Sequence, residues 1–167
     1  MNNKLYPSLI SGFGAAVFIS IPGAKTFACC LFVPIAAAVS LYLYRRSTND
    51  KERLSTGTGL MFGLITGLFA ALFGTGLEVL ITFLTKTNEL VANLPQTETI
   101  LRQMNLGEAG EQSLALLKEM AKEIQQKGFS PLLFTVIFIT NLISFVIFGL
   151  IGGGVATAII NSRVKNS

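Results

Sequence analysis

The sequence predicts an all-α membrane protein: four transmembrane helices, with a helical extracytoplasmic segment between spans three and four. Three observations carry this. Of 167 residues, 51% are hydrophobic and 13% charged, against about 25% charged in a typical soluble domain. The apolar residues gather into four runs, and roughly 20 residues at about 1.5 Å each cross a hydrocarbon core. The charges flank those runs. A net charge of +4 with that placement argues against nucleic-acid binding, which needs a basic face or stripe. Residues 1–167 read as one membrane domain whose partner is the lipid bilayer.

Span one is Leu5 to Ile21, closed by Pro22-Gly23. Lys4 followed by an apolar stretch has the outline of a signal peptide. However, "IPGAK" puts Pro22 where a cleavage site wants a small residue, so the expectation is a membrane helix. Span two is Thr26 to Tyr44, and Pro34 within it frees the carbonyl of Cys30, which predicts a kink. Span three runs from about Gly57 to Leu84. Span four runs from Ser130-Pro131 to about Ile160, with Ser130 as the expected cap and Pro131 in the first turn.

The connection "RRSTNDKER" carries Arg45, Arg46, Lys51 and Arg53. Short loops rich in Lys and Arg stay in the cytoplasm. Four spans then place both termini in the cytoplasm of a bacterial inner membrane, with Lys4, Arg163 and Lys165 on that side. The first connection, on the outer side, has Lys25 alone. Tyr6, Tyr42 and Tyr44 fall at the inner interface, where Tyr anchors are common.

Residues 85–128 form a polar, nearly neutral segment with six acids (Glu89, Glu98, Glu108, Glu111, Glu119, Glu123) and five bases (Lys86, Arg102, Lys118, Lys122, Lys127). The positive-inside rule does not forbid its export. Two helices are expected in it. One runs from about Thr97 to Leu106 and stops at Gly107; the other runs from about Glu111 to Lys127 and stops at Gly128, a natural C-terminal cap. Leu114, Leu117, Ala121 and Ile124 recur along the second at helical spacing, with Leu116 and Met120 beside them and charges elsewhere. That is an amphipathic helix. It can lie in the outer headgroups, pack on its own protein, or meet a partner.

Small residues recur four apart in the spans: Gly59, Gly63, Gly67 and Ala71 in span three; Ser8, Gly12, Ala16 and Ser20 in span one; Gly149 and Gly153 in span four, with Gly154 and Ala158 alongside. Four-residue spacing keeps them on one face, and a face without large side chains lets another helix approach closely in lipid. The face can pack within one four-helix assembly or serve a homo-oligomer or larger membrane complex.

Three segments also carry a resemblance. The Gly-rich third span is "STGTGLMFGLITGLFAALFGTGLEVL", the outer segment is "LRQMNLGEAGEQSLALLKEMAKEIQQKGFSP", and the last span ends in "GLIGGGVATAIINSRVK". In this order, after a basic loop, they resemble the bacterial membrane-protein family of domain of unknown function 4199. The resemblance covers about residues 40 to 165 well and the first span loosely. It departs in the uneven acid–base spacing of the outer segment and in Pro34. It implies the topology above and no activity.

Little chemistry is left. The chain has no His, which removes the Ser-His-Asp and Cys-His nucleophile arrangements and the usual metal ligand. Cys29 and Cys30 are neighbours, and consecutive helical side chains diverge by about 100°, poorly placed to bridge each other. They read as small apolar side chains. No cofactor, metal or catalytic residue is expected.

The candidate polar site inside the spans is Glu78 with Asn141. Glu78 has no charged residue within seven positions on either side. Two readings stand: a structural carboxylate near the outer interface, or a group that handles protons or cations. A carboxylate there costs about 2.5–3.5 kcal/mol at a helix centre and less toward the interface; Thr75, Thr82, Asn141, Lys25 or Lys86 could share that cost. Without a second buried acid, a buried base or a pair of broken helices, the expectation is a non-enzymatic membrane protein, a packing, scaffold or accessory subunit of a membrane assembly. The alternative is an oligomeric proton- or cation-coupled transport component using Glu78.

Overall fold

In the long apolar runs, continuous sequence with few breakers satisfies its backbone hydrogen bonds within one segment as helix. The structure, a computed structural model, describes residues 2–21, 25–49 and 52–165, with side chains at 5–21, 30–49 and 52–164. Pro22, Gly23 and Lys51, and the side chains of Lys4, Lys25, Cys29 and Lys165, lie outside the described residues. Among the described residues there are six helices and no strand: α1 (Asn2–Ile19), α2 (Lys25–Thr48), α3 (Thr56–Thr85), α4 (Glu89–Gln103), α5 (Gly107–Lys127) and α6 (Pro131–Lys165). Helices Thr56–Thr85 and Pro131–Val164 are long and apolar enough to cross a membrane, with mean hydropathy 2.0 and 2.4; Leu5–Ile19 is a shorter apolar helix.

The helix ends follow from identifiable residues. Asn49 at φ 52 stops α2, the left-handed conformation that Asn tolerates after a helix. Ser55 caps α3 by accepting the Thr58 N–H at Oγ, 3.1 Å. At α6 the expected side-chain cap is absent. Ser130 Oγ is buried without a hydrogen-bond partner, and its carbonyl accepts the Phe134 N–H at 3.1 Å. Phe129 stacks on Phe134 with centroids 5.0 Å apart. This is a hydrophobic staple, and it sets the entry of the helix where the hydroxyl was expected to. Beyond the expected ends, α2 runs through Pro34 to Thr48, and α6 continues to Lys165.

The segment between α3 and α6 also differs from expectation. The helix expected from Thr97 begins at Glu89, because Asn88 is extended and its Oδ1 accepts the Val91 N–H at 3.0 Å. Pro95 lies inside it. That proline removes one donor, which is tolerable in a helix with no buried residue. α4 stops at Gln103 and α5 starts at Gly107, four residues ahead of the expected Glu111. Gly128 ends α5 as expected, at φ +75, with its N–H on Ile124 O at 2.7 Å. A Cβ on Gly128 would also lie 2.9 Å from Phe83 O, so the position excludes side chains for two reasons.

Contacts divide the chain into two compact units, Met1–Leu77 with Phe138–Ser167, and Glu78–Ile137. The first unit is held by small residues. Its clusters join Ala15 and Ile19 of α1, Val33 and Ala36 of α2, Ala70 and Ala71 of α3 and Phe145 of α6, then Leu41, Leu54, Phe62 and Ala156. A Cβ on Gly12 would meet Phe69 Cβ at 2.8 Å and Thr66 O at 2.9 Å, so α1 sits directly on the backbone of α3. A Cβ on Gly152 would lie 2.6 Å from Pro34 O, so α6 touches α2 at its proline.

The closest approach is between α3 and α6. Gly59 faces Gly153 and Thr157, Gly63 faces Gly149, and Gly67 faces Phe145. The partner number falls by four as the glycine number rises by four, so two antiparallel helices mesh turn by turn. A Cβ on Gly63 would lie 2.7 Å from Gly149 C, and one on Gly67 2.9 Å from Phe145 C. Backbone cannot yield as a flexible side chain does. Gly63→Leu and Gly67→Leu are therefore expected to destabilise the protein by about 3 kcal/mol or more, while Leu64→Ala, at an exposed position, costs far less. Thermal midpoints in mild detergent check this, and equal midpoints for the three variants would refute the meshed seam.

Candidate functional site

Polar side chains inside the first unit are used to tie helices together. Asn141 is 8% exposed. Its Nδ2 donates to Thr75 Oγ1 at 3.0 Å, joining α6 to α3 one to two turns beyond the last glycine contact. Thr66 Oγ1 donates to Ser40 Oγ at 3.1 Å, and Ser40 Oγ donates to Ala37 O at 2.9 Å, joining α3 to α2. Thr157 returns its hydroxyl to Gly153 O at 2.8 Å in its own helix. Ser11 Oγ is buried without a hydrogen-bond partner.

Glu78 is half-buried in the second unit. Thr82, one turn on, is buried. Of the groups expected to share the polar burden, Asn141 and Thr75 are spent on each other.

At the other end of the first unit, Asn161 of α6 grips the backbone before α3. Leu54 N–H donates to Asn161 Oδ1 and Asn161 Nδ2 donates to Leu54 O, both at 2.9 Å. One side-chain amide thus replaces the pairing that a strand neighbour would give. Arg45 Nη2 donates to Glu52 O at 3.3 Å, which holds the same connection to the end of α2. Tyr44, expected at an interface, packs its ring on Phe62 with centroids 4.8 Å apart, while Tyr6 and Tyr42 are 69% and 59% exposed. The Asn161 clamp was absent from the sequence expectations; its only signal is a polar residue continuing the buried face Phe145–Gly149–Gly153–Thr157 by one more turn.

In the second unit, the interaction helix expected from Leu114, Leu117, Ala121 and Ile124 is α5. Leu114, Ala121 and Ile124 are buried and Leu117 is half-buried. Leu116 is 50% exposed. Glu98 of α4 binds Lys118 of α5 at 2.9 Å and Arg102 at 3.0 Å. The Lys118 ammonium, then the Arg102 guanidinium, hold its carboxyl below the usual carboxylate range. Where α4 turns into α5, a groove of about 190 Å³ runs between Leu101, Leu106, Gly110 and Leu114. That is smaller than the roughly 300–1,000 Å³ of small-molecule sites. Among the described residues no three His, Cys, Asp or Glu side chains converge as metal ligands. Cys30 is exposed.

The model of a protein family of unknown function, DUF4199, matches residues 6–161. The match extends over the first span, where the sequence resemblance is loose. No curated protein and no solved structure shows a significant match.

The two amide contacts differ in what their loss exposes. Asn161→Ala leaves both a backbone N–H and a backbone C=O of Leu54 without their partner and is expected to cost about 1–3 kcal/mol. Asn141→Ala leaves one threonine hydroxyl that can turn to its own helix, and is expected to cost about 0.6 kcal/mol. Denaturation of both variants in detergent checks the order; an Asn161→Ala protein as stable as the parent would show that the clamp contributes nothing.

Proposed function

Because the chain belongs to the DUF4199 family, whose name assigns no activity, we propose a role from its surfaces: a non-enzymatic, multi-pass protein of the bacterial inner membrane, a packing, scaffold or accessory subunit of a membrane assembly. In this reading α1, α2, α3 and α6 are four spans, the termini and residues 45–56 are cytoplasmic, and residues 85–128, with α4 and α5, lie outside.

The observation that carries it is the distribution of side chains around α6. Ile139, Ile143, Ile147, Ile151, Val155 and Ile159 form an exposed stripe four residues apart. The other face carries Asn141, Phe145, Gly149, Gly153 and Thr157, all buried. Polar and small groups point in and branched apolar groups point out. Fully burying a large aliphatic side chain contributes about 1.5–3 kcal/mol, so six left about half exposed in water forgo on the order of 5–10 kcal/mol. That matches the whole stability of a soluble domain, about 5–15 kcal/mol. Lipid removes the penalty.

The subunit role follows from what is spent and what is left. The glycines are occupied in the α3–α6 seam, so close packing here makes one protein rigid. Among the described residues of the spans, Gly14 and Gly76 have no neighbouring atoms within 4 Å of an added Cβ, and Ala158 is exposed.

Two measurements test this reading. Single cysteines in a background lacking Cys29 and Cys30 are expected to be labelled from outside intact cells at Gln112 and not at Ser47; labelling at Ser47 would reverse the orientation. Liposomes holding the protein are expected to take up protons no faster than empty ones across about pH 5 to 8. A flux present in the parent and lost in folded Glu78→Gln would replace the scaffold reading with transport through Glu78.

A further inference from the structure

Two arginines continue the apolar stripes. On α6 the exposed series Ile151, Val155, Ile159 is followed, four residues on, by exposed Arg163. On α2 the exposed series Ile35, Val39, Tyr42 is followed, four residues on, by exposed Arg46. Each guanidinium therefore stands on the same strip of helix surface as the side chains read above as facing lipid, just past their end. The Asn161–Leu54 amide pair brings the two places together. It ties the end of α6, two residues before Arg163, to Leu54, next to exposed Arg53. The Arg45–Glu52 contact ties that same connection to the end of α2 beside Arg46. Four arginines and the single acid Glu52 among the described residues of this end are thus gathered from three stretches of the chain.

We propose that this end is a binding surface for the phosphate groups of anionic phospholipids, with Arg46 and Arg163 as the contact residues and Asn161 as a positioning residue. The proposal rests on the four-span reading. Arginine forms paired hydrogen bonds to phosphate, and its aliphatic stem lies along apolar surface while its head reaches the headgroup layer. Continuity with the apolar stripes selects lipid over a free anion. A soluble phosphate needs no apolar approach, whereas a phospholipid brings its acyl chains onto Ile159 and Val39 as its phosphate meets Arg163 and Arg46. Tyr42, 59% exposed between Val39 and Arg46, has the apolar body and polar tip suited to that boundary.

The test uses the full chain in nanodiscs of phosphatidylcholine containing phosphatidylglycerol, with retained lipids counted by native mass spectrometry. The parent is expected to retain phosphatidylglycerol in preference to phosphatidylcholine. Each basic residue near an anionic surface is worth about 1 kcal/mol. Arg46→Gln or Arg163→Gln should therefore lower the preference about fivefold, and the double variant roughly 25-fold. Arg163→Lys should keep most of it, and Arg102→Gln on α4 should leave it unchanged. Equal retention of the two lipids by the parent, or an unchanged preference in a double variant with parental helicity, would overturn the proposal while leaving the four-span reading standing. Displacement of the retained lipid by millimolar inorganic phosphate would assign the site to a free anion and overturn the choice of lipid. Failure of the parent to enter the discs would overturn the four-span reading itself.

Discussion

The backbone-to-backbone approach of α3 and α6 sets the terms for the first unit. Three consecutive turns of α3 place a glycine against the α6 backbone, and α6 answers with Gly149 and Gly153. A seam this close brings dispersion contacts between the two backbones, and a few hydrogen bonds add to them. With side chains absent at these positions, carbonyl and Cα groups of one helix contact those of the other. The branched residues of α6 are then left on the opposite face. The same division that makes the seam tight makes the outer surface apolar.

Polar groups sharpen this packing. A glycine seam alone tolerates slips of four residues, since the pattern repeats at that spacing. The Thr75–Asn141 bond is placed where one register satisfies it, and the Asn161–Leu54 pair does the same at the opposite end of the seam. Each contributes modest net energy, and each makes a slipped arrangement leave polar groups unsatisfied in an apolar setting, which is the costlier outcome. Ser40 and Thr66 join α2 to α3 by the same logic.

The second unit works by other rules. α4 has no buried residue and α5 buries one narrow stripe. Its helices are begun and ended by local devices, Asn88 before α4 and Gly128 after α5, and cross-linked by the exposed Glu98–Lys118 pair. Such pairs are screened by salt and add little stability. This unit gains its order from turns, caps and the Ile124–Ala121–Leu114 stripe.

The helical class, the runs of α3 and α6, the inward stripe of α5 and its stop at Gly128 were legible in the sequence because each depends on local periodicity or on one residue's backbone preference. The start of α4 was placed at Thr97, whereas the cap that begins it is Asn88, nine residues earlier. Ser130 carried the right residue type for a cap, yet the Phe129–Phe134 stack decided the entry of α6. For the candidate site, Glu78 and Asn141 stood out as polar residues in apolar runs, but spacing along the chain could not say that Asn141 would be spent on Thr75. Nor could it reveal that Asn161 would hold a backbone 107 residues away, or which glycine of α3 would face which of α6. Periodicity is a property of one helix and is written in its own residues. Pairing is a property of two helices, set by the register in which backbones can touch and buried polar groups can all find partners, and only the tertiary structure decides it.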